Sequence, residues 1–150
     1  MPASASETET SLVTDPLAGL QKWVLVPGSS PYWQLVYVIS DGLQINQPQN
    51  VPGYGVPTFT TGLRNLTGKV NNDGTVTIYA ITAQTSTVFG GEPDPTKLVA
   101  VTDVIAATQL PVDDGNGSGG GSQQALDQFV TLQQSRSGEV FRGVALAPGS

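Results

Sequence analysis

The chain has 150 residues, a formal net charge of −6, and neither cysteine nor histidine. Disulfide frameworks, thiol nucleophiles, Cys/His zinc sites and Ser-His-Asp triads are therefore excluded, and the lack of any basic cluster argues against nucleic-acid binding. Only 12% of residues are charged, while 18 glycines and 11 prolines interrupt the chain, a composition that fits short strands and many turns in about one domain rather than a helical bundle.

The first segment, Met1-Pro2-Ala3-Ser4-Ala5-Ser6-Glu7-Thr8-Glu9-Thr10, is small, polar and acidic. It has neither the basic start nor the apolar centre of a signal peptide, which leaves an intracellular protein or a part of a longer exported chain. Residues 1–14 are expected to form a disordered arm, followed by a β-repeat domain over 15–148. No apolar run approaches the ~20 residues of a membrane span.

Lys22-Trp23-Val24-Leu25-Val26 and the aromatic-rich Tyr32-Trp33-Gln34-Leu35-Val36-Tyr37-Val38-Ile39 flank Pro27-Gly28-Ser29-Ser30-Pro31 and read as a hairpin. Trp23 and Trp33 either pack between sheets, the reading we favour because large aromatics dominate core burial, or form a stacking platform for a sugar. Asp41 to Thr61 is a loop too long for a simple turn, in which Tyr54 lies between two glycines and is placed to meet a ligand.

The clearest strand is Thr75-Val76-Thr77-Ile78-Tyr79-Ala80-Ile81-Thr82, where Thr or Ala alternates with larger apolar residues. Asn72-Asp73-Gly74 before it tolerates positive φ, so Leu66 to Val70 is expected to pair antiparallel with Thr75 to Tyr79. Asn71-Asn72-Asp73-Gly74 faintly echoes a calcium loop but lacks its spaced carboxylates and closing Glu. After a second loop at 84–96, Lys97 to Ile105 forms the next strand. The Gly/Ser-rich stretch at 113–122 lacks the Gly-Lys-Ser/Thr ending of a phosphate loop and reads as a linker. Gln128 to Gln133 is a further strand, and Phe141 to Ala147 another. Asn65-Leu66-Thr67 and Asn116-Gly117-Ser118 match the glycosylation pattern. Little helix is expected beyond a turn at 123–127, and no cofactor or metal is called for.

Two segments recur at nearly the same interval. Leu63-Arg64-Asn65 returns loosely as Phe141-Arg142-Gly143, and Lys22 to Val26 as Lys97 to Val101, which argues for an internal repeat. Gly62-Leu63-Arg64-Asn65-Leu66-Thr67-Gly68, Gly74-Thr75-Val76-Thr77-Ile78-Tyr79-Ala80 and Phe141-Arg142-Gly143-Val144-Ala145-Leu146-Ala147-Pro148 resemble the repeats of exported, mostly bacterial β-propeller-like proteins. In those, Arg-Gly-Leu-Thr-Gly leads to Val-Thr-Leu-Tyr-Ala and closes on Phe-Arg-Gly-Val-Ala-Phe-Ala-Pro. The resemblance covers roughly residues 20–148 and implies an all-β fold of antiparallel, four-stranded propeller-blade-like sheets, with under two blades in this chain, on a protein of the cell surface or exterior. It carries no catalytic signature.

About four blades is the usual minimum for a closed ring. The expectation is therefore a non-enzymatic structural or interaction module that assembles with copies of itself, or with a missing remainder of the propeller, through sheet edges. Phe141 to Ala147 would either join the first hairpin in a composite sheet or complete a neighbour's sheet. One alternative is a carbohydrate-binding module using Trp23, Trp33, Tyr37 or Tyr54, with exposed aromatics near acidic side chains as its signature. Another is a fragment of a secreted glycosidase or lyase, for which Asp41, Asp73, Asp103 and Glu139 are candidates only by being acidic. Arg64 and Arg142 either line a channel for an acidic ligand or pair with a neighbouring blade.

Overall fold

The computed structural model describes residues 17–86, 94–110 and 127–148. The N-terminal arm at 1–14, the Gly/Ser-rich loop at 113–122, the sequon at Asn116 and most of the proposed turn at 123–127 lie outside the described residues. Among the described residues seven strands follow one another: β1 (Leu20–Val26), β2 (Tyr32–Ile39), β3 (Pro48–Gln49), β4 (Thr58–Val70), β5 (Thr75–Ser86), β6 (Lys97–Val104) and β7 (Val130–Gln134). Among the described residues there is no helix.

The fold is all-β with antiparallel sheets. β1 and β2 form a two-stranded sheet, and β3-β4-β5-β6-β7 form a five-stranded sheet in chain order that curls into a half-barrel. The β4–β7 meander joins in chain order four strands that the sequence led us to expect. No propeller blades are identified, however. The paired strands β4 and β5 run 13 and 12 residues, about twice the usual length. Register breaks between Thr60 and Gly62 and between Arg64 and Leu66 bend β4. The loop expected over 41–61 supplies β3, which pairs with the start of β4.

The β4/β5 hairpin forms antiparallel between the expected segments, one residue further along β5 than Leu66–Val70 against Thr75–Tyr79 implies, with Leu66 opposite Ala80 and Val70 opposite Val76. Gly74 takes the positive φ the turn needs, +82°, and Asn71 N–H donates to Thr75 O at 2.9 Å. Asp73 accepts from both the Thr75 backbone N–H (3.1 Å) and its hydroxyl (2.6 Å), and these bonds hold its carboxyl below the usual range. Its carboxylate is thus engaged in shaping a turn.

Residues directly opposite in an antiparallel pair share a face, so Ile78 and Ala80 of β5 lie beside Val101 and Val99 of β6. The base of the first hairpin covers this face. Tyr37, Ile39, Leu43 and Phe129 close the core over Ala80, Val99 and Val101, with Leu20, Val36 and Leu63 at its margin. The inward row of β6 reads Lys97, Val99, Val101, Asp103, two apolar residues bracketed by two charges.

Phe141 to Ala147 is not a strand and forms no composite sheet with β1 and β2. Two of its backbone donors are taken by side chains instead. Phe141 N–H donates to Thr96 Oγ1 at 2.7 Å and Val144 N–H to Asn65 Oδ1 at 2.8 Å. A segment whose N–H groups are satisfied this way has fewer left for a ladder.

Candidate functional site

The first hairpin divides into a packed base and an exposed end. At the base, Leu20 faces Ile39 and Lys22 faces Tyr37; beyond Lys22 the register slips, so that Trp23 faces Leu35 and Leu25 faces Trp33. Past this break the pairs lie outside the core. Trp23 is 47% exposed, Leu25 52%, Tyr32 57% and Trp33 64%. The favoured expectation that the two tryptophans pack between sheets is therefore corrected: both stand largely exposed on the outer half of the hairpin. Opposition and two-residue spacing put Trp23, Leu25, Trp33 and Leu35 on one face. No charged residue occurs from Trp23 to Ser40, and Trp23 Nε1–H donates to Gln21 Oε1 at 3.0 Å.

The other residues singled out from sequence are dispersed. Tyr37 is 7% exposed and lies in the core, which removes it as a stacking face. Tyr54 is half-buried, and its hydroxyl donates to Asp94 Oδ1 at 2.5 Å, so the ring is tethered rather than displayed. Arg64 and Arg142 are both exposed, and among the described residues neither has an ion-pair partner. Their neighbours do meet, through the Val144–Asn65 hydrogen bond. Of the acidic candidates, Asp41 accepts from Gly42 N–H at 2.9 Å and Glu139 from Arg136 N–H at 3.2 Å. These are turn-forming contacts like that of Asp73. Asp103 belongs to a different setting.

At the junction of the two sheets, side chains from four segments converge. Lys22 Nζ lies 2.9 Å from Asp103 Oδ2 and donates to Tyr37 Oη (2.8 Å) and Val104 O (2.7 Å). Tyr37 Oη donates to Asp103 Oδ1 at 2.5 Å. Burial first, and the Asp103 carboxylate second, push the Tyr37 phenol well above its ordinary value. Asp127, just before β7, completes the group. It is 6% exposed, its N–H donates to Thr102 O at 2.8 Å, and its Oδ1 is buried without a hydrogen-bond partner among the described residues. Burial, followed by the neighbouring Asp103, raises the Asp127 carboxyl from 3.8 to about 7.

A second polar group lies at the other end of the β6 row. Lys97 Nζ donates to Gln49 Oε1, and burial lowers its ammonium below the usual lysine value. Thr60 Oγ1 accepts from Gln49 Nε2 (2.9 Å) and Gln84 Nε2 (3.0 Å), and Thr82 Oγ1 accepts from Gln84 Nε2 (3.1 Å) and Lys97 N (2.9 Å). This network ties β3, β4, β5 and β6 together.

Sequence reasoning missed both polar groups. One signal was available: Asp103 continues the inward parity of Val99 and Val101, where an unpaired charge is costly. Asp127 carried no such signal, because its burial depends on contacts distant in sequence. Among the described residues no group of three acidic side chains is placed to hold a metal, and no helix is long and apolar enough to cross a membrane. Compared with protein-family models, with curated proteins and with solved structures, the chain matches none.

Proposed function

We propose that the chain is a non-enzymatic structural module that associates with copies of itself through the exposed end of the β1–β2 hairpin, at the cell surface or outside the cell as the propeller resemblance implies. In this reading the β4–β7 meander is the blade-like unit. The observation that carries it is the uncharged apolar face of Trp23, Leu25 and Trp33, set on a sheet of only two strands. An isolated two-stranded hairpin is marginal in water, and here its outer half lacks a cover. Both of its long edges are also unpaired among the described residues.

A second copy suits this surface. In a two-fold interface the same patch meets itself, which a strongly charged patch would resist and an uncharged one does not. The two tryptophans and two leucines of this face offer roughly 400 Å² of apolar area per copy, by the usual size of such side chains. This is about half of what one partner contributes to a standard interface, so association should depend on concentration and draw on edge pairing as well. The carbohydrate reading has the exposed tryptophans in its favour. It lacks acidic groups on the hairpin, and Trp23 Nε1 is already engaged by Gln21. The glycosidase reading loses support because Asp41, Asp73, Asp103 and Glu139 each serve local structure.

Analytical ultracentrifugation of the full chain tests the proposal. The wild type is expected to form a concentration-dependent dimer, and Leu25→Ser with Trp33→Ser a monomer with an unchanged far-ultraviolet spectrum. A wild type that stays monomeric at the highest soluble concentration overturns the association. Quenching of tryptophan fluorescence by soluble glycans in such a monomer would favour the carbohydrate reading.

A further inference from the structure

After β7 the chain folds back on the half-barrel and is fastened there in two unlike ways. Near Ser135 the partners are buried. Thr96 N–H donates to Ser135 Oγ (2.8 Å), Ser135 Oγ donates to Glu139 O (3.0 Å), and Phe141 N–H donates to Thr96 Oγ1 (2.7 Å). Thr96 and Ser135 are each 2% exposed. Three residues on, Val144 N–H donates to Asn65 Oδ1 at 2.8 Å, and Asn65 is exposed.

These two fixings stand on opposite sides of β5. Thr96 directly precedes β6 and has the outward parity of Leu98, Asn65 belongs to β4, and β5 runs between those strands. From Phe141 to Val144 an extended chain reaches about 10 Å, and two strand spacings are about 9.5 Å. The segment therefore crosses β5 almost directly. The crossing falls at Ile81, which faces Leu98 on one side and Arg64 on the other. Ile81 points away from the core face that holds Ala80, yet it is only 1% exposed, as a residue beneath a crossing chain should be.

Asn65 is suited to hold and to let go. It lies at a register break in β4 with φ +49°. An extra residue in a strand turns its side chain out of the ladder, and asparagine tolerates this backbone better than most residues. Water competes for its exposed amide and not for the buried hydroxyls of Thr96 and Ser135, so the crossing opens at lower cost than the root. We propose that residues 142–146 form a strap across the outward face of the half-barrel, hinged at Thr96 and Ser135 and latched at its crossing by Asn65. Opening uncovers Ile81 and leaves the hinge and the β4–β6 ladders intact. The strap is a property of one chain and does not rest on contact between copies.

Amide hydrogen exchange and trypsin cleavage of the full chain test the strap in two directions. Asn65→Gly removes the acceptor and suits the left-handed backbone. It is expected to speed exchange at the Val144 amide, and cleavage after the exposed Arg142, by roughly two- to twelvefold, the worth of one hydrogen bond. The Phe141 amide and the amides of the β5–β6 ladder are expected to keep their protection. Gly143→Ala is expected to slow both processes by roughly two- to fivefold, because it restricts the open chain. Gly143 has no positive φ, and a methyl group there would meet the Asn65 amide at ordinary contact distances of 3.6 and 3.7 Å. A wild-type Val144 amide that exchanges as fast as in an unfolded chain overturns the proposal. So does either variant with both rates unchanged, or loss of protection at Phe141 and the ladder in step with Val144. If Asn65→Gly does not fold, the wild-type amide and Gly143→Ala decide.

Discussion

Asp103→Ala is expected to lower the unfolding free energy by about 3–5 kcal/mol, the cost of stranding one member of a buried ion pair. The Lys22 and Asp103 side chains are 16% and 6% exposed, so the pair is well shielded from water. Removing the carboxylate leaves the ammonium with only Tyr37 Oη and Val104 O, takes away the acceptor of the Tyr37 hydroxyl, and opens a hole beside Asp127. Against the roughly 5–15 kcal/mol of a typical domain, this is a large share. Denaturant unfolding near neutral pH measures it. Lys22→Met combined with Asp103→Leu should cost less than Asp103→Ala alone, because an apolar pair leaves no charge uncompensated. A loss under about 1 kcal/mol for Asp103→Ala, the range of solvent-exposed pairs, would show that the charges are not held as described.

Gly42→Ala should be nearly as damaging, by a steric route. Gly42 sits in the turn after β2 with φ +80°. A methyl group there would run into the carbonyl oxygen of Phe129 and lie 3.0 Å from that residue's nitrogen and carbonyl carbon. Backbone cannot yield as a flexible side chain does. The turn and Phe129 would have to part, weakening the Phe129–Asp41 hydrogen bond and shifting a ring that is 4% exposed. Strained backbone and overpacking together are expected to cost about 3 kcal/mol or more. Gly53→Ala is the internal control. It shares φ +80° but has open space around it, so only the conformational penalty of about 1–2 kcal/mol applies. Equal losses at the two positions would refute the steric account.

Local signals in the sequence carried the strands well. The alternation in Thr75 to Thr82 and the turn chemistry of Asn72-Asp73-Gly74 are properties of neighbouring residues, and the antiparallel β4/β5 hairpin follows from them, with its register one residue further along β5 than Leu66–Val70 against Thr75–Tyr79 implies. The β1–β2 pair and the meander of β4 to β7 were legible for the same reason. What failed was everything settled by distant contacts. Trp23 and Trp33 have the composition of core residues, but burial depends on what faces them across the fold, and both remain exposed. Phe141 to Ala147 has the composition of a strand, yet Thr96 and Asn65 capture its donors. Tyr37 was noticed as an aromatic; its working part is the hydroxyl, which Asp103 holds from 66 residues away. Asp127 was missed because its burial beside β6, where its N–H meets Thr102 O, depends on contacts distant in sequence.

The two register breaks in β4 decide how the larger sheet meets its surroundings. Beyond Thr60, the side of β4 that faces away from β5 has no partner strand among the described residues, a row of backbone donors and acceptors of the kind that recruits a passing chain. Bulges spoil such a row by twisting it out of line, and exposed cations repel a second copy. β4 has both, with breaks around Gly62 and Asn65 and exposed Arg64 and Lys69. At the opposite margin β7 is only five residues long, too short to template much. These features guard the half-barrel edge against pairing with another chain, while the uncharged β1–β2 hairpin carries no such guard.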